Sequence, residues 1–138
     1  MIVRYMEEKD KSFIMNVNKD IKDINFKALL YTKSAYVMSL GDTPIGFMYH
    51  SVLWNSMPFM NLIYVKEKFR GLGYASWAIK FWEEDMKSRG YKMVLTSTRA
   101  DEDAQHLYRK LGYVDCGSIL FNDTPFNQPL EIIMRKVL

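Results

Sequence analysis

Residues 59–75, FMNLIYVKEKFRGLGYA, run from an apolar stretch through a basic turn with two glycines into small residues that can open a helix. FMNLIYV (59–65) reads as a strand, and its continuous apolar character predicts burial on both faces. Beyond the glycines, Ala75, Ala78, Ile79, Trp82 and Met86 recur at helical spacing, one face of a helix that Gly90 ends. Gly71 and Gly73 therefore stand where a helix begins. That end carries backbone N–H groups without intrahelical partners and a partial positive charge, which suits phosphate. Glycines remove the Cβ atoms that would block a ligand, and Lys66, Lys68 and Arg70 add positive charge. The plain alternative is a strand-to-helix turn, because an isolated G-x-G arises often by chance.

The flanking sequence sets the order of elements. MIVRYM (1–6) reads as a first strand and Ser12 as a helix N-cap; apolar residues at 13, 14, 17, 21, 24, 26, 29 and 30 predict one or two amphipathic helices. SAYVMSL (34–40) and IGFMYHSVLW (45–54), separated by the turn residues GDTP, predict a β-hairpin. After Gly90, MVLTST (93–98) is the next strand, and Ala104, Leu107, Tyr108 and Leu111 form a second helical stripe closed by Gly112. GSILF (117–121) and LEIIMRKVL (130–138) are the last strands. Antiparallel strands first and a strand-helix-strand unit later make a mixed α+β sheet.

Composition bounds the function classes. The chain has 138 residues, 49% hydrophobic and 25% charged, which predicts one globular domain over 1–138. A net charge of +3 falls short of a nucleic-acid signature, so no nucleic-acid partner is expected. With one cysteine no intrachain disulfide can form, and Cys116 reads as a small buried residue. Cys116, His50 and His106 lack metal-ligand spacing, so no metal is expected. The amino terminus lacks a signal-peptide pattern, and no apolar run approaches the roughly 20 residues of a membrane span, which predicts a cytoplasmic protein without a membrane partner. A Walker loop is excluded because Tyr74, Ala75 and Ser76 follow Gly73 where lysine and a hydroxyl residue are required. Gly71, Gly73 and Ser76 match two of the three glycines of a dinucleotide fingerprint, but helices and a hairpin precede them, the wrong order for that fold.

Val65, four further residues, then Arg70-x-x-Gly73-x-Ala75 resembles the acetyl-CoA pyrophosphate loop of the GNAT superfamily of N-acetyltransferases, [RQ]-x-x-G-x-[GA] after a strand. Ala104-x-x-Leu107-Tyr108-x-x-x-Gly112-Tyr113 is similar to a second signature of that family, A-x-x-L-Y-x-x-x-G-[FY], one strand later. The order of elements agrees over nearly the whole chain. The resemblance implies a GNAT-like three-layer α+β fold: a central mixed, mostly antiparallel sheet of six to seven strands, helices on both faces, and a splayed parallel pair formed by 59–65 and 92–98.

The resemblance also implies acetyl-CoA as acyl-donor cosubstrate, no metal, and direct transfer to a primary amine. The backbone of Ile63 and Val65 is expected to meet the pantetheine arm, while Arg70, Gly71, Leu72, Gly73, Tyr74, Ala75 and Ser76 wrap the pyrophosphate. Acyl transfer needs a neutral amine, stabilisation of an oxyanion and a proton for the departing thiolate. Tyr108 matches the family tyrosine placed to give that proton, although its apolar stripe alone reads as core. The Val65 N–H is the expected oxyanion donor. Asp101 stands where the family often has a cofactor-contacting asparagine, and it also reads as an N-cap of the second stripe. The strand 59–65 lacks the glutamate that several family members carry there. Proton removal from the amine falls to water held by Asn61 or strand carbonyls, to His50, whose ordinary pKa is about 6.5, or to a substrate that arrives neutral. A non-catalytic acyl-CoA sensor is the alternative function.

In the family, acceptor choice lies in segments equivalent to about 18–34 and 120–130. Here they hold Phe26, Tyr31, Phe121 and Phe126 beside Lys27, Lys33 and Asp123. A small-molecule amine, a peptide amino terminus and a protein lysine all remain open as acceptors. The same aromatics are open to a homodimer contact.

Overall fold

Eleven main elements follow one another in a computed structural model that describes all residues, 1–138. They are β1 (Ile2–Tyr5), α1 (Lys11–Val17), α2 (Asp23–Thr32), β2 (Ala35–Leu40), β3 (Thr43–Leu53), β4 (Met57–Val65), α3 (Tyr74–Ser88), β5 (Met93–Arg99), α4 (Ala104–Lys110), β6 (Val114–Ile119) and β7 (Glu131–Val137). The strands form one seven-stranded sheet in the order β1-β2-β3-β4-β5-β7-β6. The pairs β1–β2, β2–β3, β5–β7 and β6–β7 are antiparallel, whereas β4 and β5 run parallel with Phe59 opposite Leu95 and Met60 opposite Thr96. The expected mixed, mostly antiparallel sheet with one parallel pair is the fold observed.

The chain divides into two compact units, residues 1–51 with 62–81 and residues 52–61 with 82–138. In the first, Met6, Ile14, Ile21, Phe26, Ala35, Val37 and Phe47 make one buried cluster, with Phe13, Leu29, Leu62 and Tyr64 packed against it. Met6 follows the first strand and the others come from the amphipathic segment and the hairpin; the helical spacing identified Ile14, Ile21 and Phe26 correctly, whereas Ile24, also on that pattern, is 74% exposed. Phe26 is fully buried and leaves the set of aromatics expected at the acceptor side, whereas Tyr31 is 90% exposed. The first helix starts differently from the expectation at Ser12, which lies inside α1. A 3-10 turn, Glu8–Asp10, precedes it because buried Asp10 draws two hydrogen bonds from Arg4, at 2.8 and 2.9 Å, and one from the Glu7 N–H, at 2.8 Å. The hairpin turn is Gly41–Asp42, with Gly41 at φ +57°; Thr43 and Pro44 already belong to β3.

In the second unit, Trp82, Met86, Val94 and Met134 are fully buried. Two glycines end its helices as the sequence predicts: Gly90 has φ +92° and Gly112 φ +95°, conformations that favour residues without Cβ. Trp54 and Asn55, at φ +53° and +57°, supply the two consecutive left-handed residues of a tight hairpin turn, closed by Ser56 N–H donating to Leu53 O at 3.0 Å. The strand expected at 117–121 begins earlier, at Val114, where it pairs with Arg135 of β7. β6 is the last strand of the sheet and every residue in it is exposed. Cys116 is consequently exposed, not buried as expected.

Candidate active site

Within the first unit, β4 delivers its last residues to the glycine turn. Both faces of β4 carry burial, as expected, but not at every position: Met60 and Val65, five residues apart and so on opposite faces, are buried, Leu62, Ile63 and Tyr64 are half-buried, and Asn61 is exposed. Beyond Val65, a 3-10 turn, Glu67–Phe69, brings the chain round to Arg70. The Arg70 guanidinium folds back, its Nε donating to the Val65 carbonyl at 2.7 Å and its carbon 5.6 Å from the centre of the Tyr64 ring. Arg70 thus ties the far side of the turn to the strand end. The backbone of Lys66 is pinned too, its N–H donating to Ile45 O at 2.8 Å.

Gly71 and Gly73 adopt φ +76° and +86°, in the left-handed region that other residues enter at a cost. A Cβ built at either meets nothing within 4 Å, so the turn is held open to its surroundings, as the approach of a phosphate requires. Gly73 O accepts from Trp77 N–H at 3.1 Å, the first turn of α3, a helix of 15 residues. Ile63, Val65 and the run from Arg70 to Ser76 therefore lie on one continuous strand-turn-helix path, and the open cradle fits the pyrophosphate that the motif implies.

Gly46 of β3 underlies this strand end. A Cβ there would fall 2.4 Å from Tyr64 O and 3.2 Å from Val65 Cα. The sequence carries a signal for it, an isolated glycine inside an aromatic strand, which marks close backbone approach.

His50 is 2% exposed and stacks on Tyr36 with ring centres 6.1 Å apart. That placement is a core one, matching the structural role of a lone strand histidine.

The second unit holds Asp101 and Tyr108. Tyr108 is 5% exposed on α4. Burial pushes its phenol pKa above the ordinary tyrosine value, while a hydrogen bond with the Thr96 side chain works the other way. Thr96 on β5 is itself buried and donates to Met60 O on β4 at 3.3 Å. Thr96 was not legible as a site residue, because in MVLTST it looks like any β-branched strand position. Tyr113 N–H donates to Tyr108 O at 3.0 Å, and their ring centres are 5.9 Å apart.

Asp101 does not cap α4, whose N-cap position is Asp103. Its carboxylate is drawn to Arg99, receiving bonds from Nε at 3.1 Å and from the second guanidinium nitrogen at 2.9 Å. Gln105 instead closes the turn before the helix, donating to Ala100 O and Glu102 O at 2.9 Å each.

A cavity of about 580 Å³ in this unit, whose lining includes Asn55, Ser56, Arg89, Gly90, Tyr91 and Lys92, contains none of the candidate catalytic or cofactor-binding residues. No group of three or more His, Cys, Asp or Glu side chains is placed to hold a metal ion. No helix is long and apolar enough to cross a membrane.

Residues 3–113 match the model of the acetyltransferase (GNAT) family. No curated protein matches the sequence. Solved structures with the same fold include Ard1 from Thermoplasma volcanium, 19% identical, TM-score 0.83, covering 99% of this chain and 97% of that one. A ribosomal-protein-alanine N-acetyltransferase from Brucella melitensis is 16% identical with TM-score 0.84 and covers 100% of both chains. Naa50 from Arabidopsis thaliana, solved with the bisubstrate analogue CoA-Ac-MVNAL, is 11% identical with TM-score 0.82 and covers 99% of this chain and 98% of that one.

Proposed function

This chain belongs to the acetyltransferase (GNAT) family, and on that premise we propose that it acts as a single domain over 1–138 that moves the acetyl group of acetyl-CoA directly onto a primary amine. Bound acetyl-CoA supplies a thioester whose thiolate departs when the amine attacks. The backbone N–H groups from Gly71 to Ser76 hold the pyrophosphate, and Ile63 and Val65 pair through their main chain with the pantetheine arm. Asp101 neighbours that arm with its charge already met by Arg99. The Val65 N–H donates to the thioester oxygen as it gains negative charge. Tyr108, protonated at neutral pH as a phenol ordinarily is, gives its proton to the departing sulfur. With His50 enclosed in the core, the amine proton passes to water at exposed Asn61.

The observation that carries this reading is the glycine turn itself: two left-handed glycines, open to their surroundings, between a strand end braced by Arg70 and the start of a 15-residue helix. A fold shared with the bisubstrate-bound Naa50 makes a peptide amino terminus one acceptor to test.

The experiment measures thermal stabilisation by acetyl-CoA, then thiol release with a panel holding an alanine-started peptide, Nα-blocked lysine and a polyamine. Stabilisation and turnover with at least one amine are expected, and Tyr108→Phe should lower kcat by about 100-fold where chemistry limits the rate. Turnover equal to wild type in Tyr108→Phe would remove the acid assignment. Stabilisation without thiol release across the panel would favour the acyl-CoA sensor.

A further inference from the structure

Glu83 is a carboxylate in the wrong company. It lies on the apolar stripe of α3 beside Trp82 and Met86 and is only 7% exposed. Burying a carboxylate costs several kcal/mol unless its oxygens are matched. Both are matched here: Tyr113 OH donates to Oε1 at 3.0 Å, and Lys136 Nζ donates to Oε2 at 2.7 Å. Lys136 Nζ also stands 5.8 Å from the centre of the Tyr113 ring. Its side chain passes Gly112 so closely that a Cβ there would lie 3.6 Å from Cε.

Tyr113 is consequently fixed from two directions. Its phenol is bound by Glu83, and its N–H closes the end of α4 on Tyr108 O at 3.0 Å, with the two rings in contact at 5.9 Å between centres. The short helix α4, seven residues long, has little internal cooperativity of its own. Its C-terminal turn is held by the Tyr113 N–H and by Arg109, which donates to both oxygens of Asp115 at 3.1 and 2.9 Å, and Tyr113 is the tie whose ring also meets that of Tyr108.

We propose that Glu83, acting through Tyr113, is a positioning residue that holds the Tyr108 phenol where it can deliver its proton. This rests on the acid role of Tyr108 given above. A purely structural Glu83 would affect stability and leave the proton-delivery step untouched. A positioning Glu83 affects kcat selectively, because a phenol displaced by a fraction of an ångström donates poorly while cofactor binding persists.

The test is Tyr113→Phe, which deletes one hydroxyl and leaves Glu83 paired with Lys136, made in the wild type and in Tyr108→Phe. Glu83→Gln is made as a second variant in both backgrounds. Kinetics are read by thiol release with the amine from the panel that turns over fastest, and integrity by the thermal shift with acetyl-CoA. Expected are an unchanged KM for acetyl-CoA, a kcat lowered roughly 10-fold by Tyr113→Phe and lowered less by Glu83→Gln, and no further loss when either is added to Tyr108→Phe. An unchanged kcat in Tyr113→Phe, or losses that add in full to that of Tyr108→Phe, would overturn the positioning role and leave the acid role standing. Turnover equal to wild type in Tyr108→Phe alone would overturn the acid role and this inference with it.

Discussion

The guanidinium of Arg70 donates through Nε to the carbonyl of Val65 at 2.7 Å, closing the turn between β4 and α3 upon itself. A side chain that sequence logic sends toward the pyrophosphate is occupied in holding the loop whose N–H groups we assign to the phosphate. Charge-assisted bonds of this kind contribute about 1.5–3 kcal/mol. Arg70→Ala is expected to weaken acetyl-CoA binding roughly 10-fold through loss of loop order. Arg70→Lys should recover little, since a lysine cannot offer the planar group that reaches Val65 O and also lies over Tyr64. Calorimetric titration with acetyl-CoA checks this; full affinity in Arg70→Lys would show that charge alone matters.

Gly73 makes a different demand. Its φ of +86° belongs to a region where a side chain costs about 1–2 kcal/mol, yet the space around its missing Cβ is empty. Gly73→Ala should therefore fold with a slightly lower melting temperature and lose acetyl-CoA affinity by more than its stability loss predicts. Gly73→Asn should be milder, because asparagine tolerates left-handed backbone. Equal stability and affinity of all three proteins would refute the conformational reading.

Most of the fold was legible because it rests on periodicity and punctuation. The glycines at 90 and 112 end helices where expected, and of the face read as Ala75, Ala78, Ile79, Trp82 and Met86 the last four are fully buried and Ala75 half-buried. The failures have local causes. Ser12 lost the cap position because Arg4, six residues before Asp10, and the Glu7 N–H hold Asp10 in a 3-10 turn just ahead of the helix. Asp101 lost its capping role to the nearer attraction of Arg99. Cys116 was misjudged because β6, at the edge of the sheet, is exposed along its whole length, and sequence does not say which strand is last. The glycine turn between β4 and α3 was legible as a motif, whereas the Glu83–Tyr113–Lys136 group joins residues up to 53 positions apart and leaves no local pattern.

Gly46 sets the height at which β3 can approach β4. An added Cβ would stand 2.4 Å from Tyr64 O, a backbone atom that cannot turn aside as a flexible side chain would. Gly46→Ala must push the end of β4, and overpacking of this sort costs about 1–3 kcal/mol. Because the displaced segment includes Val65, acetyl-CoA affinity should fall along with the urea midpoint. A variant with unaltered midpoint would show that the two strands separate more easily than the geometry allows.

Alkaline pH probes the buried phenols. Burial, reinforced by the Glu83 carboxylate and its hydrogen bond, drives the Tyr113 pKa far upward, and burial also raises that of Tyr108. Both groups hold their protons in the folded chain when the unfolded chain has lost them, above about pH 10. The folded state then binds more protons, so stability falls as pH rises. The contribution is fully present below the unfolded value and is lost through the alkaline range, at about 1.4 kcal/mol per pH unit for each phenol held fully protonated. Thermal melts from pH 8 to 11.5 should show a level stretch and then a steep decline. Tyr113→Phe should melt lower at pH 8 but decline less steeply above pH 10, and since Lys136 keeps its 2.7 Å bond to Glu83, the difference in slope isolates the phenol. Parallel declines in the two proteins would mean that Tyr113 ionises within the folded state and that its bond to Glu83 is weaker than its burial implies.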